Sequence, residues 1–369
     1  MPNMIDYLNW RGDISCKASP FNEIDNLIFS DIAYLDFSGI LSDSFIYGIP
    51  LSELADLFAS SKDFDEKAKT GMLINSKVVE LLSIAGKSER FKDCIVRGYT
   101  DITDEKKEKQ FAALTFTFMK NHHFIAFRGT DDTLIGWKED FNMAFLDAVP
   151  SQLESVRYAN RAMSILRGSF MLGGHSKGGN LASYAAACAL PRYVKKIKAV
   201  YNNDGPGFQA SVLAKRNFQR MTKIIHTFIP QSSIVGLLLE HEEGFTIIES
   251  TETGIMQHDP FSWQVMGNKF IESTSLSKES VFLDKTLKAW LSHLPAKDRE
   301  LFIDAFFDIL EATQAKTLSD LASNWLKYSG SLVKSLASMD NRTRDVIKNA
   351  FQLLVQVAGS VKKQQPHKI

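Results

Sequence analysis

The run Gly174-His175-Ser176-Lys177-Gly178 sets a serine between glycines, with Gly173 and Gly179 extending it on either side. An apolar strand-like segment, Ser169-Phe170-Met171-Leu172, enters the glycines, and an alanine-rich helical run, Leu181 to Leu190, leaves them and stops at Pro191. Strand, tight turn and helix, in that order, are the context in which G-x-S-x-G presents a nucleophilic serine. The bend strains the backbone, so its neighbours must be small. At a helix N-terminus the backbone N–H of Lys177 can face a developing oxyanion, which the helix dipole also favours. The competing reading is a phosphate-cradling loop, but that needs a different glycine spacing and a terminal Lys-Ser or Lys-Thr pair.

A serine hydroxyl needs a base, and the base is commonly oriented by a carboxylate. With this elbow the chain order is serine, acid, histidine. Three histidines follow Ser176 ahead of the helical C-terminal stretch: His226, His241 and His258. His258 comes after the last strand, through a loop rich in Thr and Gly, and is the expected base. His226 sits inside the strand-like Ile224 to Phe228 and reads as a packed core residue. His241, flanked by Glu240, Glu242 and Glu243, reads as a solvated helix end. Asp204 is the only aspartate between Ser176 and His258. It directly follows the strand Ala199 to Asn202, at the carboxyl end where open parallel sheets carry their catalytic groups. The alternatives are a plain turn aspartate before Gly205-Pro206, with Glu240 and Glu242 in reserve. For a second oxyanion donor, Phe127-Arg128-Gly129-Thr130 ends a strand in glycine, and Thr130 is the candidate. Trp137 and Asp140 are placed to brace that loop, or are an ordinary packed tryptophan and helix-start carboxylate.

This chemistry calls for no cofactor and no metal. His122 and His123 near Asp131 and Asp132 suggest an ion site, but adjacent strand residues point to opposite faces and cannot share one. Lysine plus arginine number 43, as do aspartate plus glutamate, so no basic field exists to displace counterions from nucleic acid. Cys16, Cys94 and Cys188 lie far apart, which fits neither a disulfide framework nor a zinc site. The N-terminus lacks a charged and apolar leader, and no apolar stretch is long enough to span a bilayer. These features point to a reduced, cytoplasmic, soluble protein of undetermined oligomeric state.

Strands are expected at 112–119, 124–127, 169–172, 197–202, 224–229 and 245–248, alternating with helices such as 153–166 and 212–221. That alternation implies an α/β fold with a mainly parallel sheet covered on both faces. Residues up to about 105 read as mixed elements with helical periodicity, at 51–58 and 76–84. Beyond a boundary near Ser273 to Ser277 only helical spacing remains, at 279–294, 296–312, 318–337 and 345–361. The expected division is therefore 1–275, an α/β domain, and 276–369, a helical module with a frayed basic tail from Lys362 to Ile369.

Phe127-Arg128-Gly129-Thr130, the Trp137 to Asp140 stretch, Gly174 to Asn180 and Asn203 to Phe208 resemble class 3 (fungal-type) lipases. They resemble more closely a bacterial lipase-like family of unknown function with a His-Ser-Lys-Gly-Gly elbow, as do Asp6 to Asp13 and Pro20 to Glu23. The resemblance covers roughly residues 1 to 265 and implies an α/β-hydrolase fold and ester cleavage with Ser176 as nucleophile. Two positions depart from it. Class 3 lipases carry their acid in an Asp-x-Val-Pro segment, whereas Ile229 to Val235 holds no carboxylate; the acid moves to Asp204 or is absent. Lys177 replaces an apolar residue, and either favours an anionic substrate or is simply solvated. The resulting expectation is hydrolysis of a small-molecule or lipid ester by Ser176, His258 and Asp204, with Thr130 and Lys177 as oxyanion donors. Ile234 to Leu239 would serve as a lid, an acyl-chain wall or core. The rival is a non-catalytic scaffold that binds a protein or membrane partner through its helical module. Transfer to an acceptor other than water uses the same residues.

Overall fold

A computed structural model describes residues 1–70, 74–131, 133–313, 315, 317, 320 and 325–364. An eight-stranded sheet runs in sequential order: β1 (Gly48–Pro50), β2 (Ile95–Asp104), β3 (Lys109–Met119), β4 (His122–Phe127), β5 (Ser169–His175), β6 (Ile197–Asn203), β7 (Ile225–Pro230) and β8 (Thr246–Ile248). The first four strands pair antiparallel, and β4 to β8 pair parallel. A small two-stranded ribbon, Val265–Met266 with Lys269–Phe270, follows.

Sequential order has a steric consequence. Parallel crossovers are right-handed, and every crossover from β4 onward steps the same way across the sheet, so their helices share one face. That face packs α7 (Pro150–Ile165), α8 (Lys177–Ala187) and the short turns α9 (Pro191–Val194), α10 (Ala210–Leu213) and α11 (Arg216–Gln219) against Ile125, Phe127, Phe170, Leu172 and Val200. The opposite face carries the alternate residues Phe124, Ala126, Ala199 and Tyr201, which no crossover covers. The N-terminal segment covers them instead, through α1 (Met4–Arg11), α2 (Glu23–Ile32), α3 (Leu51–Ala59) and α5 (Lys77–Lys87), with the short α4 (Phe64–Lys67) between the last two. Phe29 on α2 stacks flat on Phe116 of β3, centroids 4.1 Å apart.

Two elements differ from expectation. The ten-residue strand β2 lies within the region read as mixed elements with helical periodicity and assigned no strand, because Gly98 at φ 69° forms a bulge between Arg97 and Thr100 that breaks the alternation. The helix expected at 212–221 is two separate turns. The β3–β4 turn is also tighter than read, with His122 and His123 already on β4.

After β8 come α12 (Lys278–His293) and α13 (Ala296–Glu311), then α14 (Trp325–Ser338) and α15 (Asn341–Gln364). Of the helix expected from 318 and of the basic tail, 318, 319, 321–324 and 365–369 lie outside the described residues. Leu294, Phe302, Ile303, Phe307 and Ala350 gather around Leu134 of α6 (Leu134–Asn142). Ser277 donates its N–H to the Gln231 carbonyl (2.7 Å), joining α12 to the segment after β7. Among the described residues no helix is long and apolar enough to cross a membrane.

The N-terminal cover is therefore part of the core. Phe29→Ala is expected to destabilise the protein by about 3–5 kcal/mol, read as a lowered midpoint in urea denaturation; a loss below about 1 kcal/mol would contradict this packing.

Candidate active site

β5 ends at His175 and α8 begins at Lys177, leaving Ser176 at φ 57°, ψ −134°, a backbone conformation that side chains other than glycine avoid. Asp204, one residue past β6, is likewise at φ 52°. The two bends are linked: Ser176 N–H donates to the Asn203 carbonyl (2.9 Å), and Asp204 N–H to the Phe228 carbonyl (2.8 Å). The elbow needs its glycines for close approach. A Cβ on Gly178 would lie 2.1 Å from the Phe127 carbonyl oxygen, and one on Gly129 would meet Tyr34 Oη at 2.1 Å and the His175 carbonyl at 2.6 Å. Gly129 thus brings Thr130 alongside Ser176.

The structure brings Asp204 and His258 together. Asp204 is fully buried, and its Oδ2 accepts a 2.6 Å hydrogen bond from His258 Nδ1. Its Oδ1 accepts from Ser233 Oγ (2.5 Å) and Gly236 N–H (3.2 Å). Both come from the carboxylate-free segment after β7, which here supplies donors to the acid. The Ser233 carbonyl in turn accepts from Ser280 Oγ of α12.

The other acid and histidine candidates fall elsewhere. Glu240 and Glu242 are exposed. His226 is on β7 as expected but exposed, stacked on Tyr201, because the buried phase of the strand falls on Ile225 and Thr227. His241 is not solvated: its ring is buried, Nε2 donating to the Gly236 carbonyl (2.7 Å) and Nδ1 lying 3.1 Å from Glu243. It steadies the same Gly236 whose N–H reaches Asp204. His123 bonds Thr117 and the Arg167 carbonyl, His122 bonds Ser169, and Asp132 lies outside the described residues.

Lys177 departs from both of its readings. It is 1% exposed and neither solvated nor free to select an anion, since Nζ pairs with Glu139 (3.0 Å) and Asp140 (3.3 Å) of α6. Burial opposes its charge, but the two carboxylates outweigh that and hold its pKa above the ordinary lysine value. Asp140 also accepts from Thr130 Oγ1, and its own pKa is raised by burial despite Lys177. The lysine side chain therefore ties the helix after the elbow to the Thr130 loop. The Lys177 N–H, in the first turn of α8, has no intrahelical partner.

His175 and Tyr34 carry positioning roles that the sequence reading did not assign. His175 Nε2 is 2.9 Å from the His258 carbonyl, and Tyr34 Oη is 3.1 Å from His175 Nδ1. A carbonyl can only accept, so Nε2 carries the proton and Nδ1 accepts from the tyrosine. Burial, with His258 adjacent, holds His175 well below the usual imidazole range, consistent with that neutral form. The His258 loop is further fixed by Trp263 Nε1 on the Gln257 carbonyl (2.8 Å) and Asn75 on Asp259 (2.7 Å).

Ser176, His258, Thr130 and Tyr34 open onto one cavity of about 300 Å³. Its remaining wall is mainly apolar: Trp137 and Phe141 of α6, Val235, Leu238 and Leu239 from the run after β7, and Leu287, Trp290, Phe302 and Ile303 from α12 and α13. Among the described residues no group of acidic, histidine or cysteine side chains is disposed to hold a metal. A serine after β5, a carboxylate after β6 and an imidazole beyond the last strand of the large sheet form the arrangement of the α/β-hydrolase fold.

Beside this cavity Asp31 of α2 is buried with Oδ2 unpartnered; burial, then the nearby Asp259, raises its pKa well above the carboxylate range. A raised folded-state pKa favours the protonated form, so this site costs stability as pH climbs past the unfolded value. Asp31→Asn is expected to raise stability at pH 8 by on the order of 1 kcal/mol, with the gap closing toward pH 4; thermal melts at the two pH values check this, and a loss at pH 8 would oppose it.

The family model Mbeg1-like matches residues 85–308, a stretch that contains Thr130, Ser176, Asp204 and His258 and runs into α13. No curated protein matches the chain. Solved structures that match include the crystal structure of M37 lipase, at 14% identity and a TM-score of 0.35, covering 57% of this chain and 68% of that one. With the family model matched over more than half its length, the chain belongs to the Mbeg1-like family, a lipase-like family.

Proposed function

We propose that the chain is a serine hydrolase that cleaves acyl esters through an acyl-enzyme on Ser176. One observation carries the reading: a buried carboxylate holds His258 by a 2.6 Å bond on the wall of the cavity that Ser176 also faces. Asp204 accepts a hydrogen bond from His258 Nδ1–H and so keeps that proton on Nδ1, leaving Nε2 as the acceptor for the serine hydroxyl hydrogen. Ser176 Oγ then attacks the ester carbonyl, and the oxygen of the tetrahedral intermediate takes N–H donors from Lys177 and Thr130, each worth about 3 kcal/mol by comparison with other oxyanion holes. His258 returns the proton to the leaving alcohol. Water, activated by the same imidazole, releases the acid. No step requires a metal or cofactor.

The apolar lining supports an acyl chain as the part of the substrate that fills the cavity. The run after β7 supports two tasks at once, Ser233 and Gly236 facing Asp204 while Val235, Leu238 and Leu239 face the cavity. The helices from 278 onward are best read as a cap on the site, since α12 and α13 contribute one wall of it.

A fluorophosphonate probe is expected to label Ser176, and Ser176→Ala to lose both labelling and turnover of a p-nitrophenyl ester; equal rates for the two proteins would end this reading. Asp204→Asn is expected to lower kcat by about 10⁴-fold through loss of the imidazole orientation. Ser233→Ala, which removes one charge-assisted hydrogen bond to that carboxylate, should cost roughly 1.5–3 kcal/mol, or on the order of 10- to 100-fold in kcat. A Ser233→Ala loss as large as that of Asp204→Asn would mean that the carboxylate itself is displaced.

A further inference from the structure

Five ionisable side chains besides Tyr34 and His175 contribute to the cavity wall: Asp140, Lys177, His258, Asp259 and Arg299. Four have a partner that satisfies their charge or hydrogen bonding. Lys177 is held between Glu139 and Asp140, His258 is bound to Asp204, and Asp259 accepts from Asn75 (2.7 Å) and from the Phe261 N–H (3.0 Å). Arg299, at the start of α13, differs. Its Nη1 donates to the Ala144 carbonyl at 2.9 Å, a neutral acceptor, and its Nε is buried and donates to nothing. No carboxylate among the described residues pairs with it. A guanidinium cannot shed its proton, so the charge persists whatever the surroundings. A partly enclosed cation without a counter-charge is unfavourable unless an anion arrives. Phe302 and Ile303, one turn further along the same helix and also on the cavity wall, are apolar and offer no compensation.

We propose that Arg299 is a substrate-binding residue that takes an anionic group, so that the preferred ligand is amphipathic: a medium-length alkyl chain along the apolar wall and a carboxylate or phosphate at the guanidinium. The inference rests on the hydrolase reading for its consequence, namely that the ester cleaved carries a negative charge. It reassigns to α13 the selection of anions that Lys177 is too well neutralised to perform. The planar fork of arginine suits either oxyanion, since both present paired oxygens.

Calorimetric titration of the unaltered chain with octanoate, octyl phosphate and octanol, all below their aggregation limits, tests this without turnover. The two anions are expected to bind about tenfold or more tightly than octanol, as charge-assisted hydrogen bonds allow. The tighter of the two identifies the source of the charge as carboxylate or phosphate. Arg299→Gln is expected to bring the anions down to the octanol value while leaving octanol unchanged, and Arg299→Met, which keeps the apolar stem, serves if the glutamine variant does not fold. Equal affinity of the unaltered chain for all three ligands would overturn the proposal, as would a preference for anions that survives in the neutral variants. Fluorophosphonate labelling of the unaltered chain reads the other claim separately. Labelling without charge preference removes the anion site alone; charge preference without labelling removes the hydrolase and leaves the anion site.

Discussion

The backbone of Ser176 sits at a positive φ that its side chain disfavours, at a cost of order 1–3 kcal/mol. A strained residue persists only if its surroundings leave it no alternative, and the environment of this one is built accordingly. Glycines allow Phe127 and Gly129 to close on the bend, and the Ser176 N–H is taken by β6. The Asn203 side chain reinforces that junction, donating to the Gly174 carbonyl (3.1 Å) and to Asn26 of α2 (3.1 Å). Both faces of the sheet therefore brace the bend: α8 from one side, and the N-terminal helices from the other.

Charge is organised around the same bend. Immediately after the serine, Lys177 turns back to α6, and through Asp140 it meets the Thr130 hydroxyl. Immediately before it, His175 stays neutral and turns to the His258 carbonyl. The two residues flanking the serine thus each hold one neighbouring loop, Lys177 that of Thr130 and His175 that of His258. The lysine's charge is locally cancelled and the histidine carries none, so neither adds a net charge beside the serine.

Much of this was legible in the sequence where the signal was local. The bend at Ser176 was legible because its glycines, entering strand and leaving helix are contiguous, and the pairing of Asp204 with His258 because few residues of their type lie in the right interval. What could not be read depends on partners distant along the chain. Lys177 meets Glu139, 38 positions earlier, so nothing beside it announced a buried ion pair. His241 sits among glutamates and reads as solvated, yet Glu240 pairs with Phe208 and the segment folds inward. The strand β2 escaped notice because one glycine bulge shifts its alternation. Arg299 on α13 reaches the Ala144 carbonyl 155 positions away, and helical periodicity says nothing of such a contact.

The sequential strand order also bears on how the chain acquires its shape. The helix α2 is made early, yet the strands β4, β5 and β6 that it packs against are completed about a hundred residues or more afterwards, and Asn26 waits for Asn203 across 177 positions. Until those strands exist, the side of α2 that meets them has no sheet surface to close on. Contacts so far apart along a chain close slowly and leave sticky intermediates in the interval. The early segment should accordingly be the part most in need of chaperone protection during synthesis, and the last large element to lock into place.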